Sequence, residues 1–141
     1  MSYTIEHVSI RCRSIENSVE FYRRMFDAKV VLRRNPSPGK RIVFLHIGDG
    51  MLELMEMGSA SEPADPLTHF GVHHFGIKVE DFESVYGDLK AKGANFVGEP
   101  FEPTPGIRLA FLKDPNGAII ELVKRDPEVL RKALAKGEVN W

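Results

Sequence analysis

Hydrophobic and polar positions follow one pattern twice along this chain. HVSIRC, residues 7–12, matches HFGIKV, residues 74–79, position by position at a shift of 67 residues. After one extra residue in the second copy, MLEL at 51–54 matches IIEL at 119–122 at a shift of 68 residues. Because self-similarity at a fixed distance indicates a repeated structural unit, the sequence predicts two copies of one fold.

The predicted domain boundaries follow from this repeat. The first copy spans residues 1–57 and the second copy spans residues 71–125. Residues 58–70, GSASEPADPLTHF, have the small, polar and proline-containing composition of a linker. Residues 126–141 are predicted to form a C-terminal helix and tail.

Each copy is predicted to form a strand, a helix and three further strands. Period-two alternation predicts the first strand at residues 4–12, and apolar positions spaced three to four residues apart predict a helix capped by Ser14. Asp81 begins the matching helix. The sequence therefore predicts an α+β protein of two tandem βαβββ modules. The later strands are predicted near residues 29–34, 41–47 and 51–57, and near 94–97, 107–113 and 118–124.

One helix for four strands covers a single face of each sheet, which leaves the other face to curve around a ligand. Strand alternation turns a histidine and a glutamate of each copy to that second face. These are His7 and Glu53 in the first copy, and His74 and Glu121 in the second. The repeat register selects His74 rather than its neighbour His73 as the partner of His7.

Two such pairs on equivalent faces suggest one divalent cation shared between the copies. Imidazole nitrogen and carboxylate oxygen, bonded at about 2.0–2.2 Å, suit zinc. Nickel, cobalt, iron and manganese also accept such donors. The alternative is that each histidine is an ordinary strand residue and each glutamate pairs with a cation such as Arg11 or Arg41. Repetition of the pair in one register favours the metal-binding interpretation. The predicted fold is therefore a curved, mostly antiparallel sheet with a metal site on its concave face.

Further residues are candidates for contact with a substrate. Arg11 shares the predicted ligand face, and Met55 and Met57 could line an adaptable apolar pocket, although methionines also fill cores. Phe101 lies in the turn-rich segment 98–106, which is predicted to be either a lid over the site or a plain surface loop. Other cations that could meet a substrate tail are Lys40, Arg41, Arg33 and Arg34, of which the last two are predicted to be solvated charges at a strand edge.

Composition and charge exclude several classes of function but do not change the predicted fold or site. The formal net charge of −1 predicts no basic face for nucleic acid. No apolar run approaches the roughly 18 residues that span a bilayer, and the first residues lack a secretory apolar segment. The lone Cys12 excludes an internal disulfide and suits a reducing compartment. These features predict a cytoplasmic protein that binds neither nucleic acid nor membrane.

Together these features resemble the vicinal oxygen chelate superfamily, which includes glyoxalase I, methylmalonyl-CoA epimerase, extradiol dioxygenases, and fosfomycin- and bleomycin-resistance proteins. LAFLKDPNGAIIEL, residues 109–122, is similar to the closing motif of glyoxalase I. The resemblance implies βαβββ modules that enclose a metal and assemble as a homodimer. It carries the family's ligands over to His7, Glu53, His74 and Glu121.

Within the superfamily, the complete ligand set resembles bacterial glyoxalase I, and Arg11 matches an arginine that contacts glutathione there. Met57 departs from glyoxalase I, which usually has an asparagine for glutathione at that position, four residues beyond the first glutamate. The resemblance implies a metal-dependent lyase or isomerase that moves a proton through a metal-stabilised enediolate of a thiol–2-oxoaldehyde adduct, with glutathione as candidate co-substrate. Glu121 is the predicted base and Glu53 its opposing ligand. The alternatives are a proton-transfer enzyme like methylmalonyl-CoA epimerase and a protein that sequesters a small molecule without turnover.

Overall fold

The computed structural model describes residues 5–58, 62 and 70–136. Most of the predicted linker, and the predicted tail after residue 136, lie outside these residues. The elements, in chain order, are β1 (His7–Cys12), α1 (Ile15–Phe26), β2 (Lys29–Ser37), β3 (Lys40–Ile47), β4 (Gly50–Met57), β5 (His74–Lys78), α2 (Phe82–Ala91), β6 (Asn95–Phe101), β7 (Ile107–Lys113), β8 (Ile119–Arg125) and α3 (Pro127–Lys136).

The strands form two four-stranded sheets with the same topology. The first has the order β1-β4-β3-β2 and the second has the order β5-β8-β7-β6. In each sheet the strand before the helix pairs in parallel with the last strand of the copy. The two tandem βαβββ modules and the α+β class are therefore confirmed.

The described residues also divide into two compact units by their contacts. The first unit consists of the described residues within Met1–His73 and Lys113–Ala118. The second unit consists of the described residues within His74–Leu112 and Ile119–Trp141. The turn between β7 and β8 thus belongs to the first unit, although both strands belong to the second sheet.

The first helix shows how local sequence creates the core. The Ser14 hydroxyl accepts a hydrogen bond from the backbone N–H of Asn17 at 3.2 Å, which satisfies one free donor of the first turn. The buried residues Ile15, Val19 and Tyr22 form the apolar stripe of α1, which packs on β3 and β4. Asp81 caps α2 in the same way, as the sequence predicts.

Two strands extend further than their turn residues predict. β2 continues through Pro36 to Ser37, and β6 continues through Pro100 to Phe101. Both strands lie at sheet edges, where a proline is tolerated at positions whose N–H would face away from the sheet and make no ladder hydrogen bond. The prediction that all of 98–106 connects two strands was therefore wrong, because only residues 102–106 lie between β6 and β7.

The turn between β7 and β8 is fixed by a buried polar network. The Asp114 carboxylate accepts hydrogen bonds from the Tyr22 hydroxyl at 2.9 Å and from the backbone N–H groups of Asn116 and Ala118, each at 2.8 Å. The Asn116 side chain donates to the Ser18 hydroxyl at 2.9 Å. Burial and the nearby Asp114 charge raise the pKa of Tyr22 far above its usual value, so its hydroxyl remains a donor.

None of the described helices combines the length and the apolar character needed to cross a membrane.

Candidate metal centre

The first His–Glu pair lies on the face of the first sheet opposite α1. His7 is paired with Met51 across the parallel β1–β4 ladder, and Glu53 lies two residues further along β4. This offset places His7 Nε2 3.5 Å from Glu53 Oε2, with side chains 35% and 16% exposed. Ile10 and Cys12 of the same strand point the other way and are buried, as the alternation predicts.

The second pair repeats this arrangement in the second sheet. His74 is paired with Ile119, and Glu121 again lies two residues further along the parallel strand. His74 Nε2 is 3.1 Å from Glu121 Oε2, and the side chains are 34% and 15% exposed. His73 precedes β5 and is exposed, so the strand register presents His74 on this face.

The spacing within each pair fits two ligands of one cation. With bonds of about 2.1 Å, ligand atoms at octahedral and tetrahedral angles are about 3.0 and 3.4 Å apart. The observed separations of 3.1 and 3.5 Å match these edges. Within neither unit do three or more described His, Cys, Asp or Glu side chains gather into a metal-binding group. Each unit therefore brings two candidate donors together.

Arg41, the alternative partner of Glu53, is engaged on the opposite face. Its guanidinium donates to Glu56 at 2.7 Å and to Glu16 at 3.0 Å, and Glu56 also accepts from the first backbone N–H of α1, that of Ile15. These bonds lower the pKa of Glu16 and raise that of Arg41. Arg11, the other alternative, forms no ion pair with any described residue of its unit. The Glu53 carboxylate instead faces His7.

Each histidine ring packs edge-on against a phenylalanine that the sequence analysis did not assign to the site. The His7 and Phe44 ring centroids are 5.6 Å apart at 81°, and those of His74 and Phe111 are 5.4 Å apart at 74°. Phe44 is also the cross-strand neighbour of Glu53. The signal was present in the sequence, because Phe44 and Phe111 match at the shift of 67 residues.

A carboxylate approaches the other nitrogen of the first histidine. His7 Nδ1 lies 3.3 Å from Glu6 Oε2. A ligand histidine commonly donates its second N–H to such an oxygen, which directs the other nitrogen's lone pair toward the metal. The corresponding position of the second copy holds His73, so this carboxylate is particular to the first copy.

The predicted substrate residues divide between the two units. Arg11 is paired with Met55 across β1 and β4, and Met57 lies two residues beyond Met55, so these three share the face of His7 and Glu53. Phe101 lies in β6 of the second unit and is 46% exposed, with its ring 6.3 Å from that of Phe111.

Comparison with known proteins finds one family over most of the chain. Residues 4–122 match the Glyoxalase/Bleomycin resistance protein/Dioxygenase superfamily. The lactoylglutathione lyase GLX1 of Arabidopsis thaliana is 32% identical over 128 residues, which are 86% of this chain and 44% of that protein. The chain therefore spans less than half the length of this plant relative.

Two solved structures extend the comparison. The trypanothione-dependent glyoxalase I of Leishmania major is 28% identical, with a TM-score of 0.73 over 96% of this chain and 95% of that one. The fosfomycin resistance protein FosX of Listeria monocytogenes is 16% identical, with a TM-score of 0.70 over 91% and 98% of the two chains. The second likeness shows the fold alone.

Proposed function

Since the chain belongs to the Glyoxalase/Bleomycin resistance protein/Dioxygenase superfamily, also called the vicinal oxygen chelate superfamily, we propose that it is a metal-dependent lyase or isomerase of the glyoxalase I type. Its substrate would be a thiol–2-oxoaldehyde adduct. The observation that carries the proposal is the repeated His–Glu pair, in one register and with Nε2–Oε2 separations of 3.5 and 3.1 Å. Relatives named lactoylglutathione lyase support the same reaction class.

Members of this superfamily generally use a divalent metal. The residues proposed to hold it are His7, Glu53, His74 and Glu121, whose pairwise spacing fits nickel, zinc, cobalt, iron or manganese. When bound, such an ion acts as a Lewis acid toward two adjacent substrate oxygens and stabilises the negative charge of an enediolate.

Glu121 is proposed as the base that moves the proton. Its carboxylate would accept a proton from one substrate carbon and return it to the adjacent carbon. The side chain is 15% exposed, and the half-buried Ile119 and Val123 flank it along β8, so few water molecules can compete for it. Glu53 would be the opposing ligand.

The rest of the substrate would meet residues on the same faces. Arg11 is proposed to contact an anionic group, and Met55 and Met57 to contact the apolar part of the thiol carrier, with glutathione as candidate co-substrate. Phe101 would contact the substrate from β6. We also propose a homodimer that binds this small molecule and neither nucleic acid nor membrane.

The first test is metal analysis of the purified protein, followed by an absorbance assay with methylglyoxal and glutathione. We expect activity that a chelator removes and that nickel or zinc restores. Bound metal without this activity would contradict the glyoxalase assignment and favour a proton-transfer enzyme on an acyl thioester. Absence of metal affinity would contradict both enzyme assignments and leave sequestration without turnover.

A second test separates base from ligand. Glu121→Gln should lower turnover by about 10²–10⁴ while part of the metal affinity remains, because the amide cannot take up a proton. Glu53→Gln serves as the matched variant and should act mainly through metal affinity. Full turnover of metal-loaded Glu121→Gln would assign the base to another group.

A further inference from the structure

The face of the first sheet that carries His7 and Glu53 continues beyond the proposed metal ligands. Cross-strand partners share a face of a sheet, so the ladders define rows of side chains running across β1, β4, β3 and β2. Glu53 lies in a row with Ser9, Phe44 and Leu32. The next row is Arg11, Met55, Ile42 and Arg34.

Arg34 lies on this face because of an irregularity in β2. The β2–β3 register shifts between Val30 and Leu32, which inserts one residue and exchanges the faces of the residues that follow. Arg34 is consequently opposite Ile42, whereas Arg33 is opposite Val43, a core residue on the α1 side that is 3% exposed. Arg33 also lines a surface cavity with residues of α1. Arg33 and Arg34 are neighbours in sequence, but they lie on opposite faces of the sheet.

This row has cationic ends and an apolar middle. Met55 and Ile42 are half-buried, and Arg11 and Arg34 are exposed. Lys40 adds a third cation in the next row, where it is paired with Met57. Among the described residues of this unit, none forms an ion pair with Arg11, Arg34 or Lys40.

The dimensions of the row set the size of a ligand. Neighbouring strands are about 4.8 Å apart, so the Cα atoms of Arg11 and Arg34 are separated by about 14 Å across three strand steps. Arg34 is also one row and two strands away from Glu53, so their Cα atoms are about 12 Å apart. A carrier tail of about 10 Å or more spans most of this distance, whereas a two-carbon thiol leaves most of it uncovered. Guanidinium groups favour carboxylates and phosphates, which accept two parallel hydrogen bonds.

We propose that Arg34, together with Arg11 and Lys40, selects thiol carriers with a long tail bearing two or more anionic groups. The apolar part of such a tail lies on Met55 and Ile42. This inference rests on the proposed function, because it identifies the carrier that the same face accepts. The anionic groups are carboxylates, as in glutathione, or phosphates, as in coenzyme A, and the experiment distinguishes them.

The test compares Arg34→Gln with Arg33→Gln, a matched control with the same charge change on the same strand and on the opposite face. kcat/KM is measured for the methylglyoxal adducts of glutathione, coenzyme A and uncharged 2-mercaptoethanol. We expect Arg34→Gln to raise KM about tenfold for whichever anionic carrier is used, with little change for mercaptoethanol. Arg33→Gln should stay within about twofold of the parent for all three.

Calorimetry with S-methylglutathione and S-methyl-coenzyme A on the metal-loaded protein tests the same inference without turnover. Arg34→Gln should raise the Kd of the more tightly bound probe about tenfold and reduce the salt dependence of its binding. Arg33→Gln should change neither quantity. If this holds while no adduct is turned over, the proposed function fails and the carrier site stands. Equal effects of both variants, an equal loss for mercaptoethanol, or binding of neither probe by the parent protein overturns the inference.

Discussion

The first and second sheets carry the same His–Glu pair but surround it differently. Along β4, Glu53 lies between Met51 and Met55, whereas along β8, Glu121 lies between Ile119 and Val123. Both copies have the same register and the edge-on phenylalanine, with similar His–Glu separations of 3.5 and 3.1 Å. The two copies thus share the geometry of the His–Glu pair but differ in the side chains around it.

The two copies also differ in the contacts of an arginine on the helix-covered face of each sheet. Arg41 and its counterpart Arg108 each bind a glutamate in the first turn of their helix, Glu16 and Glu83. Arg41 also binds Glu56, but the second copy has Lys124 at that position, and Arg108 lies 5.4 Å from the centroid of the Phe82 ring instead. Equivalent backbone positions therefore support different side-chain networks.

The largest expected effect comes from removing one histidine of either pair. If one ion is shared, His7→Ala and His74→Ala should each abolish tight metal binding and activity. The parent protein should gain about 2.7 kcal/mol of unfolding free energy at a metal concentration a hundredfold above Kd, and neither variant should gain it. Metal titration with calorimetry measures stoichiometry and affinity. Variants that each retain half of the bound metal would show two independent sites instead.

The second prediction concerns the β-turns that precede β8 and β4. Asp114→Ala removes the acceptor of four buried or half-buried hydrogen bonds and should cost about 3 kcal/mol of unfolding free energy, which lowers Tm by about 6–12 °C. The exposed Asp49 lies in the corresponding turn of the first copy, and Asp49→Ala should cost less than about 0.5 kcal/mol. Chemical denaturation of both variants checks this difference, and equal costs would contradict the structural role of the Asp114 network.

The third prediction tests whether the phenylalanines orient the histidine rings. Phe44→Leu and Phe111→Leu should each weaken metal binding by about twofold to tenfold, because an edge-to-face contact contributes about 0.5–1.5 kcal/mol. Phe21→Leu, which removes an aromatic contact on α1, is the control and should leave metal affinity unchanged. A loss of metal affinity in the control would mean that general destabilisation explains the effect.

The smallest effect is a pH dependence that belongs to the first copy. Arg41 lowers the pKa of Glu16 in the folded protein, so the contribution of this pair is present above the unfolded pKa and lost as pH falls through the folded pKa. The stability difference between the parent and Arg41→Gln should therefore shrink on acidification. Carboxyl NMR should also show the Glu16 pKa rising toward its ordinary value in the variant. An unchanged Glu16 pKa would contradict this assignment.

Much of the fold was predictable because the repeat and the alternation are local patterns. The α+β class, the order of elements and the helix caps at Ser14 and Asp81 follow from them. The strand ends at Pro36 and Pro100 were not predictable, since a proline indicates a turn unless the strand is known to lie at an edge. The buried network of Asp114 joins residues 92 positions apart, which no local pattern records.

The sequence was sufficient to predict which face of each sheet carries the candidate site residues. Alternation and repeat register place the two histidines and two glutamates on the faces that the structure shows, but they gave no reason to connect Glu56 with Arg41. The register shift near Val31 is the clearest limit. Simple alternation along β2 would have placed Arg33, and not Arg34, on the face of His7 and Glu53, because one inserted residue exchanges the faces of a strand.

The position of the β7–β8 turn has a consequence for how the two copies fold together. Helix α1 of the first copy hydrogen-bonds to a turn encoded in the second, through Tyr22 with Asp114 and Ser18 with Asn116. Because both partners belong to one chain, this contact forms at a rate and with a stability that do not depend on protein concentration. We expect a chain cut within residues 58–70 to need its other half to complete this network, which would make the stability of α1 depend on the concentration of the two pieces.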